Sequence, residues 1–542
     1  MKSRLVPFVG LALLAAVFVL ASWQQMRRTR ERTDPGVREI HLGHFMIHAG
    51  MREGLDEVIA AYENLNPGVR VKQDAVPLRA WSAWQRAQWA GGTTPDIMQI
   101  GKDTGDLELG RYYLALSPWV ESPNPYNRGT PLEGIPWRDT FVDGLSGGTG
   151  YSAALGDSYG IPSQVNTLRL FYNRSLLRAV TGRDKPPATF AALLEVGRAA
   201  QAWSADRAGE GAGPDGRRAI VPLAASGPYA GFLFDFLSQS FTGELARPFT
   251  PSRTLRPEMT DVARAALEGR WSLDDPPVRR LLEAWAEVAA LCPPGYLTQE
   301  REDAQFTFVT GRSLFLVAGS WDNAGVLQEA GFPVGVARFP FPGRGEGYWG
   351  EFSSGPYSEA NAGFGAELAV ARTSAHPELA IDFLRYLTSY EASRRLTIRS
   401  RRLPAIVGVP VPEEMEPFLP RTDGAAAGFS VVMNGLPGGN TALLMKQQFY
   451  RLVNRGGEPG DGAAAVETFV AAVRPGWEPA LRRDLARATQ ARLPTLRAAD
   501  VRVAFAATDE RTATGERAER IAELREAMLD QEAGWYQLRE AP

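Results

Sequence analysis

Residues 157–177 read DSYGIPSQVNTLRLFYNRSLL, and this stretch decides how the rest of the chain is arranged. A Gly160-Ile161-Pro162 turn opens it, and an apolar run follows through Val165, Leu168, Leu170, Phe171 and Tyr172. Asn173 and Arg174 end the run, and a helical pattern begins at Ser175. Aromatic and β-branched enrichment beside a turn predicts a strand. Gln164 and Asn166 interrupt it with two amides. Buried amides need hydrogen-bond partners, supplied by the protein or by a ligand.

Upstream, the chain alternates between two periods. Glu39 to Ile47 alternates as a strand around Ile40, Leu42 and Phe45. Met51, Leu55, Val58, Ile59 and Tyr62 then fall on helical spacing, closed by Asn66-Pro67-Gly68. Val69 to Val71 reads as a second strand and 79–90 as a helix carrying Trp81, Trp84 and Trp89. Thr94-Pro95-Asp96 leads into a third strand, Ile97 to Ile100. A β-α-β-α-β order predicts a parallel sheet with right-handed crossovers. Ligands of such sheets sit beyond the carboxyl ends of the strands, here His44 to Ala49 and Gln99 to Thr104.

Downstream, the Gly-, Pro- and Ser-rich residues 117–156 read as surface loop. A helix is expected over 189–203 with Thr189 as its N-cap. Strands are expected at Ala219 to Ala225, at Ser313 to Ala318 ahead of Gly319-Ser320-Trp321, at Val334 to Phe339 and at Gly363 to Val370. Helices are expected at 276–290 and 376–389, then near 440–454, 463–474, 479–491 and 514–538. The prolines at 404, 410, 412, 417 and 420 mark an extended return.

Composition excludes several classes. The length of 542 residues implies two or three domains, and 44% hydrophobic with 22% charged residues is globular. A net charge of -3, with no basic block beyond the N-terminus, gives no sign of nucleic-acid binding. The single cysteine, Cys292, forbids an internal disulfide and a CxxC site. Lys2 and Arg4 precede an apolar run from Leu5 to Ala21, which fits either a cleaved signal or an uncleaved membrane anchor. Trp23 stands where a lipoprotein has cysteine, and Arg27, Arg28, Arg30 and Arg32 argue against export.

Three motifs point elsewhere. Gly144 to Gly148 fits a G-x-S-x-G nucleophile pattern but lies in a loop, not between strand and helix. Gly345, Gly347 and Gly350 fit G-x-G-x-x-G but follow Pro340 and Pro342 and enter no helix. His41, His44 and His48 raise a metal site, although strand alternation turns His41 away from His44.

The motif order resembles the bacterial extracellular solute-binding proteins of sugar ABC transporters, the group that includes maltose-binding protein. The matching pieces are YENLNPGVRV (62–71), TPDIMQIGKD (94–103), YGIPSQVNTLRLFYNRSLL, the PPATF helix start, FTFVTGRSLFLVAGSW (306–321) and GFGAELAVARTSAHPELAIDFLRYLTS (363–389). The resemblance implies an α/β, two-lobed, periplasmic-binding-protein-like fold of type II, each lobe a sheet flanked by helices. It divides the chain into a signal or anchor and tether (1–35), an N-terminal lobe (36–162 plus 343–405), a C-terminal lobe (163–342 plus 406–475) and a C-terminal helical extension (476–542). Crossings between lobes are expected at Ile161 to Asn166, Gly343 to Gly363 and Leu403 to Pro412.

The same resemblance implies a periplasmic protein without cofactor or catalysis that captures a carbohydrate and delivers it to ABC permease subunits. A monomer, touching the membrane through its N-terminus, is expected. Trp321 matches a position that stacks on sugar, and its bland reading is a core tryptophan. Tyr229 and Asp103 match ligand-contacting positions, and Asp103 also fits a helix N-cap. Asn166 stands where some members carry a carboxylate, and Gln164 lies with it on the expected cleft floor. His44 sits in the first strand-end loop, and Trp349 and Phe364 flank the second crossing. Two alternatives stay open: a metal or other non-sugar receptor, and a glycoside hydrolase using Asp322 and Glu351.

Overall fold

The computed structural model describes residues 37–48, 50–101, 104–145, 148–152, 155–208, 220–249, 257–360, 364–436, 438–453, 462–508 and 514–539. Its strands are β1 (Arg38–His44), β2 (Val69–Ala75), β3 (Ile97–Gln99), β4 (Tyr151–Ser152), β5 (Asp157–Ser158), β6 (Ile161–Val165) and β7 (Leu168–Asn173). They continue as β8 (Val221–Ala224), β9 (Ser313–Gly319), β10 (Val334–Ala337), β11 (Phe364–Val370) and β12 (Leu403–Pro404).

Two main sheets result. One runs β12-β6-β11-β3-β1-β2 and the other β10-β7-β9-β8. β1 pairs in parallel with both β2 and β3, as the β-α-β-α-β pattern requires. β11 then runs antiparallel between β3 and β6. Pro162 lies inside β6, where a missing N–H would normally break a ladder. It is tolerated because β12 covers only Val165 and Gln164, leaving β6 an edge strand at Pro162.

The chain passes between the sheets three times. β6 belongs to the first sheet and β7 to the second, with Asn166 and Thr167 between them. The return runs from β10 to β11, and after β12 the turn Glu413–Phe418 packs back on β7 and β10. Arg169 ties these passages together. Its guanidinium makes a fork with Glu359 at 2.8 and 3.0 Å and donates to the carbonyls of Pro417, Phe418 and Leu419. Thr167 adds two more bonds: its hydroxyl donates to Phe418 O at 2.7 Å, and its carbonyl accepts from Ser320 N at 2.8 Å.

Helices cover both sheets. The main ones in the first lobe are α1 (Met51–Leu65), α2 (Leu78–Gly91) and α3 (Asp106–Tyr112). α1 buries Met51, Leu55, Val58, Ile59 and Tyr62, the residues its periodicity selects. Each such side chain contributes about 1.5–3 kcal/mol when fully buried. Asn66 stops α1 by donating from Nδ2 to Tyr62 O at 3.0 Å. The second lobe carries α4 (Phe190–Ala208), α5 (Gly227–Ala246), α6 (Met259–Leu267), α7 (Pro276–Ala289) and α8 (Arg301–Val309). Thr189 does cap α4, accepting from Ala192 N at 3.2 Å.

Three local expectations change. Residues 117–156 are more than surface loop, because Trp137, Phe141, Leu145 and Leu155 are buried. Gly347 to Gly350 form one helical turn where a loop was expected. Two C-terminal helices expected at 463–474 and 479–491 are one helix, α9 (Gly462–Thr508), which runs through Pro475 and Pro479. Helix-interior proline costs about 3 kcal/mol. Burial of Phe469, Val473, Leu481 and Leu485 in the second lobe's core offsets it. Asp484 on α9 fixes the attachment, accepting from the backbone and side chains of Asn440 and Thr441 at 2.6 to 3.0 Å. α9 pairs with α10 (Thr514–Arg539) and also touches α3 of the first lobe. Among the described residues no helix is long and apolar enough to cross a membrane; the run from Leu5 to Ala21 lies outside them.

Candidate functional site

The ends of β6, β9 and β12 bring residues of both lobes to one junction. Gln164 closes β6 on the first-lobe side and is buried. Asn166 follows at the crossing, and its buried Oδ1 has no hydrogen-bond partner among the described residues. Gly365 of β11 makes room for both amides. A Cβ there would lie 2.3 Å from Asn166 Nδ2 and 2.8 Å from Gln164 Nε2.

Trp321 approaches from the second lobe. It sits in the turn after β9, half-buried, with its ring lying over Gly319. A Cβ at Gly319 would meet that ring at 2.3 Å, so only glycine allows this placement. Phe232 meets the ring edge-on at 6.2 Å. The indole Nε1 is buried and has no partner among the described residues. The junction thus carries an aromatic ring with an unpartnered indole donor and an amide with an unpartnered acceptor, groups that suit a ligand with apolar faces and hydroxyl edges.

Arg402 links the two sides, and the sequence reading did not select it. It precedes β12, is 4% exposed, and donates to Gln164 Oε1 at 3.4 Å and to Trp321 O at 3.1 Å. Burial lowers its pKa to about 10, partly opposed by Asp322. His48 and Arg301 belong to the same electrostatic neighbourhood. Burial pushes the His48 imidazole down to about 3, and the positive charges of Arg402 and Arg301 add to the effect.

Tyr229 is at the start of α5 and fully engaged by protein. It donates to Asp322 Oδ2 at 2.7 Å and accepts from Gln305 Nε2 at 2.7 Å. Burial raises both the Tyr229 phenol and the Asp322 carboxyl above their ordinary values. Asp322 also accepts from Gly319 N at 3.3 Å, so it braces the turn that carries Trp321.

The remaining selected residues fall elsewhere. His44 is buried at the end of β1 as a neutral ring, with Nε2 against Gln73 Oε1 at 2.9 Å and Nδ1 accepting from Met46 N at 3.1 Å. Trp349 packs against Phe190 of α4 at 5.4 Å, on the second lobe. Phe364 opens β11 opposite Val165; its side chain, like Asp103, lies outside the described residues. His41 is engaged separately by Asp74 at 2.9 Å and Glu39 at 3.1 Å. Among the described residues no group of three such side chains is placed to hold a metal ion. Glu351 is exposed and faces Arg280 of α7 at 3.4 Å.

Two helix-flanked sheets, joined by three passages of chain and meeting at a polar junction, define a two-lobed α/β fold. The chain belongs to the bacterial extracellular solute-binding proteins, whose family description matches residues 57–417. A search of curated proteins finds no match. Among solved structures, a chitin oligosaccharide binding protein is similar at 20% identity and a TM-score of 0.53, covering 82% of this chain and 99% of its own. The maltose/maltodextrin-binding domain MalE from Bdellovibrio bacteriovorus, bound to maltotriose, matches at 18% identity and 0.51, with 81% and 99% covered. The GacH receptor of Streptomyces glaucescens, solved unliganded and with acarbose, matches at 16% identity and 0.52, with 80% and 98% covered.

Proposed function

We propose that this protein captures a carbohydrate between its lobes, outside the cytoplasmic membrane, and delivers it to an ABC permease. The observation that carries this reading is the junction itself. Trp321 from the second lobe and Asn166 from the crossing bring unpartnered donor and acceptor atoms to the line where the lobes meet. The similar structures named above, described with chitin oligosaccharide, maltotriose and acarbose, support the same ligand class. Lobes of 36–162 plus 343–405 and 163–342 plus 406–475 rotate about the crossings, and closure buries the ligand. Capture and release require no bond to be made or broken.

Trp321, Asn166 and Gln164 are the contacts we assign first. Tyr229 acts through Asp322 by holding the Trp321 turn. A melting screen against a panel of saccharides tests the assignment. A ligand present at about 100 times its Kd adds about 2.7 kcal/mol of stability. Trp321→Ala is expected to weaken a hit on the order of tenfold, about 1.4 kcal/mol. A hit that stabilises Trp321→Ala as much as the parent places the site elsewhere.

A further inference from the structure

We infer that the saccharide carries a carboxylate, as a hexuronate residue does, and that Arg402 receives it. The inference rests on the carbohydrate reading above and narrows it to acidic sugars.

Arg402 is buried, yet its two bonds go to neutral acceptors, the Gln164 amide and the Trp321 carbonyl. Among the described residues no carboxylate reaches salt-bridge distance of it. Asp322, the acidic group that acts on it, is bonded instead to Tyr229 and to Gly319 N. A guanidinium offers five N–H donors, and two are used here. The Nε donor is buried with no partner. The Nε–Nη2 edge of Arg402 therefore keeps an N–H on each nitrogen, the edge that a carboxylate's two oxygens match.

Charge decides between ligand classes. A buried ion without a salt-bridge partner is unfavourable, and a sugar hydroxyl supplies an acceptor but no charge. A uronate supplies both. Phosphate and sulfate esters share the oxygen geometry. A phosphate, however, brings about -1.5 to -2 charges against one guanidinium. A single negative charge fits better. Arg301 strengthens the positive field from the other lobe. Its nearest carboxylate, exposed Glu302, is 3.7 Å away, longer than a good charge-assisted bond. Arg402 also bridges the lobes, so parting them frees the guanidinium, and closing them on a carboxylate returns it to a paired state.

The test is calorimetric titration of the full chain with di- and trisaccharides ending in glucuronate or galacturonate. Each is paired with its methyl ester, which keeps shape and removes charge, and with a phosphorylated sugar of the same size. The acid is expected to bind at least tenfold tighter than its ester. In Arg402→Gln the two should bind alike, and Arg402→Lys should keep part of the preference because an ammonium lacks the fork. Equal binding of acid and ester to the parent overturns the inference and leaves the carbohydrate reading standing. So does a preference for acid that survives in Arg402→Gln, or tighter binding of the phosphorylated sugar. Binding of no saccharide, acidic or neutral, overturns the carbohydrate reading itself. The acid-to-ester comparison uses only the parent protein and so does not depend on the folding of a variant.

Discussion

Two arginines are buried where the lobes meet, and they are partnered in opposite ways. Arg169 has a carboxylate fork from Glu359 and carbonyls from the third passage. Arg402 has one amide, one carbonyl and a bare Nε. The first is a finished piece of scaffold, pinning three passages of chain at one point. The second carries its charge into the interior without an ionic partner. Completeness of pairing, more than burial or residue type, distinguishes the two arginines.

The sharpest way to break the comparison is Arg169→Met. It leaves the half-buried Glu359 carboxylate and the carbonyls of the third passage without their donor, and the expected loss is about 3 kcal/mol. Urea unfolding measures it. A loss below 1 kcal/mol would mean that the pair does not pin the hinge.

A smaller effect comes from His48, which feels the positive charge of Arg402. Its imidazole lies below the unfolded value of 6.5, at about 3. The unfolded chain therefore takes up the proton first as pH falls. The stability from keeping this group neutral is complete above about pH 6.5 and is lost progressively toward pH 3. The slope is about 1.4 kcal/mol per pH unit, or about 2 kcal/mol between pH 6.5 and 5. His48→Gln should flatten that part of the stability–pH curve. An unchanged acid limb would show that His48 does not feel this field.

The smallest expected change is the most telling. Arg402→Met in the ligand-free protein removes two neutral-acceptor bonds but also an unpaired buried charge. The opposing terms should leave stability within about 1 kcal/mol of the parent. A loss equal to that of Arg169→Met would erase the distinction between the two arginines.

Much of the fold is legible in the sequence because period and punctuation agree. The first three strands, the helix face of Met51 to Tyr62 and the Thr189 cap follow from alternation, helical spacing and turn residues. Gln164 and Asn166 signal a junction for the same reason, since amides conflict with an apolar strand. Arg402 does not. In SRRLP it looks like an ordinary solvated charge, and only tertiary structure sets it beside Gln164, 238 residues away in sequence. Its position next to the proline-rich return was the available clue. Tyr229 and Asp322 are similarly matched only by the fold, 93 residues apart. The prolines at 475 and 479 misled because burial of the surrounding helix outweighs their local penalty.

The long helix α9 has a consequence of a different kind. It is rooted in the second lobe through Phe469, Leu481 and Asp484, and it touches α3 of the first. At about 1.5 Å per residue, its 47 residues run on the order of 70 Å along the helix axis. Under the proposed function, such a bridge biases the balance between open and closed forms before any ligand arrives. That bias multiplies the apparent affinity for every ligand by the same factor, because only the competent fraction of molecules binds. Under that proposal, selectivity is set at the junction, and sensitivity by a helix that need not touch the ligand.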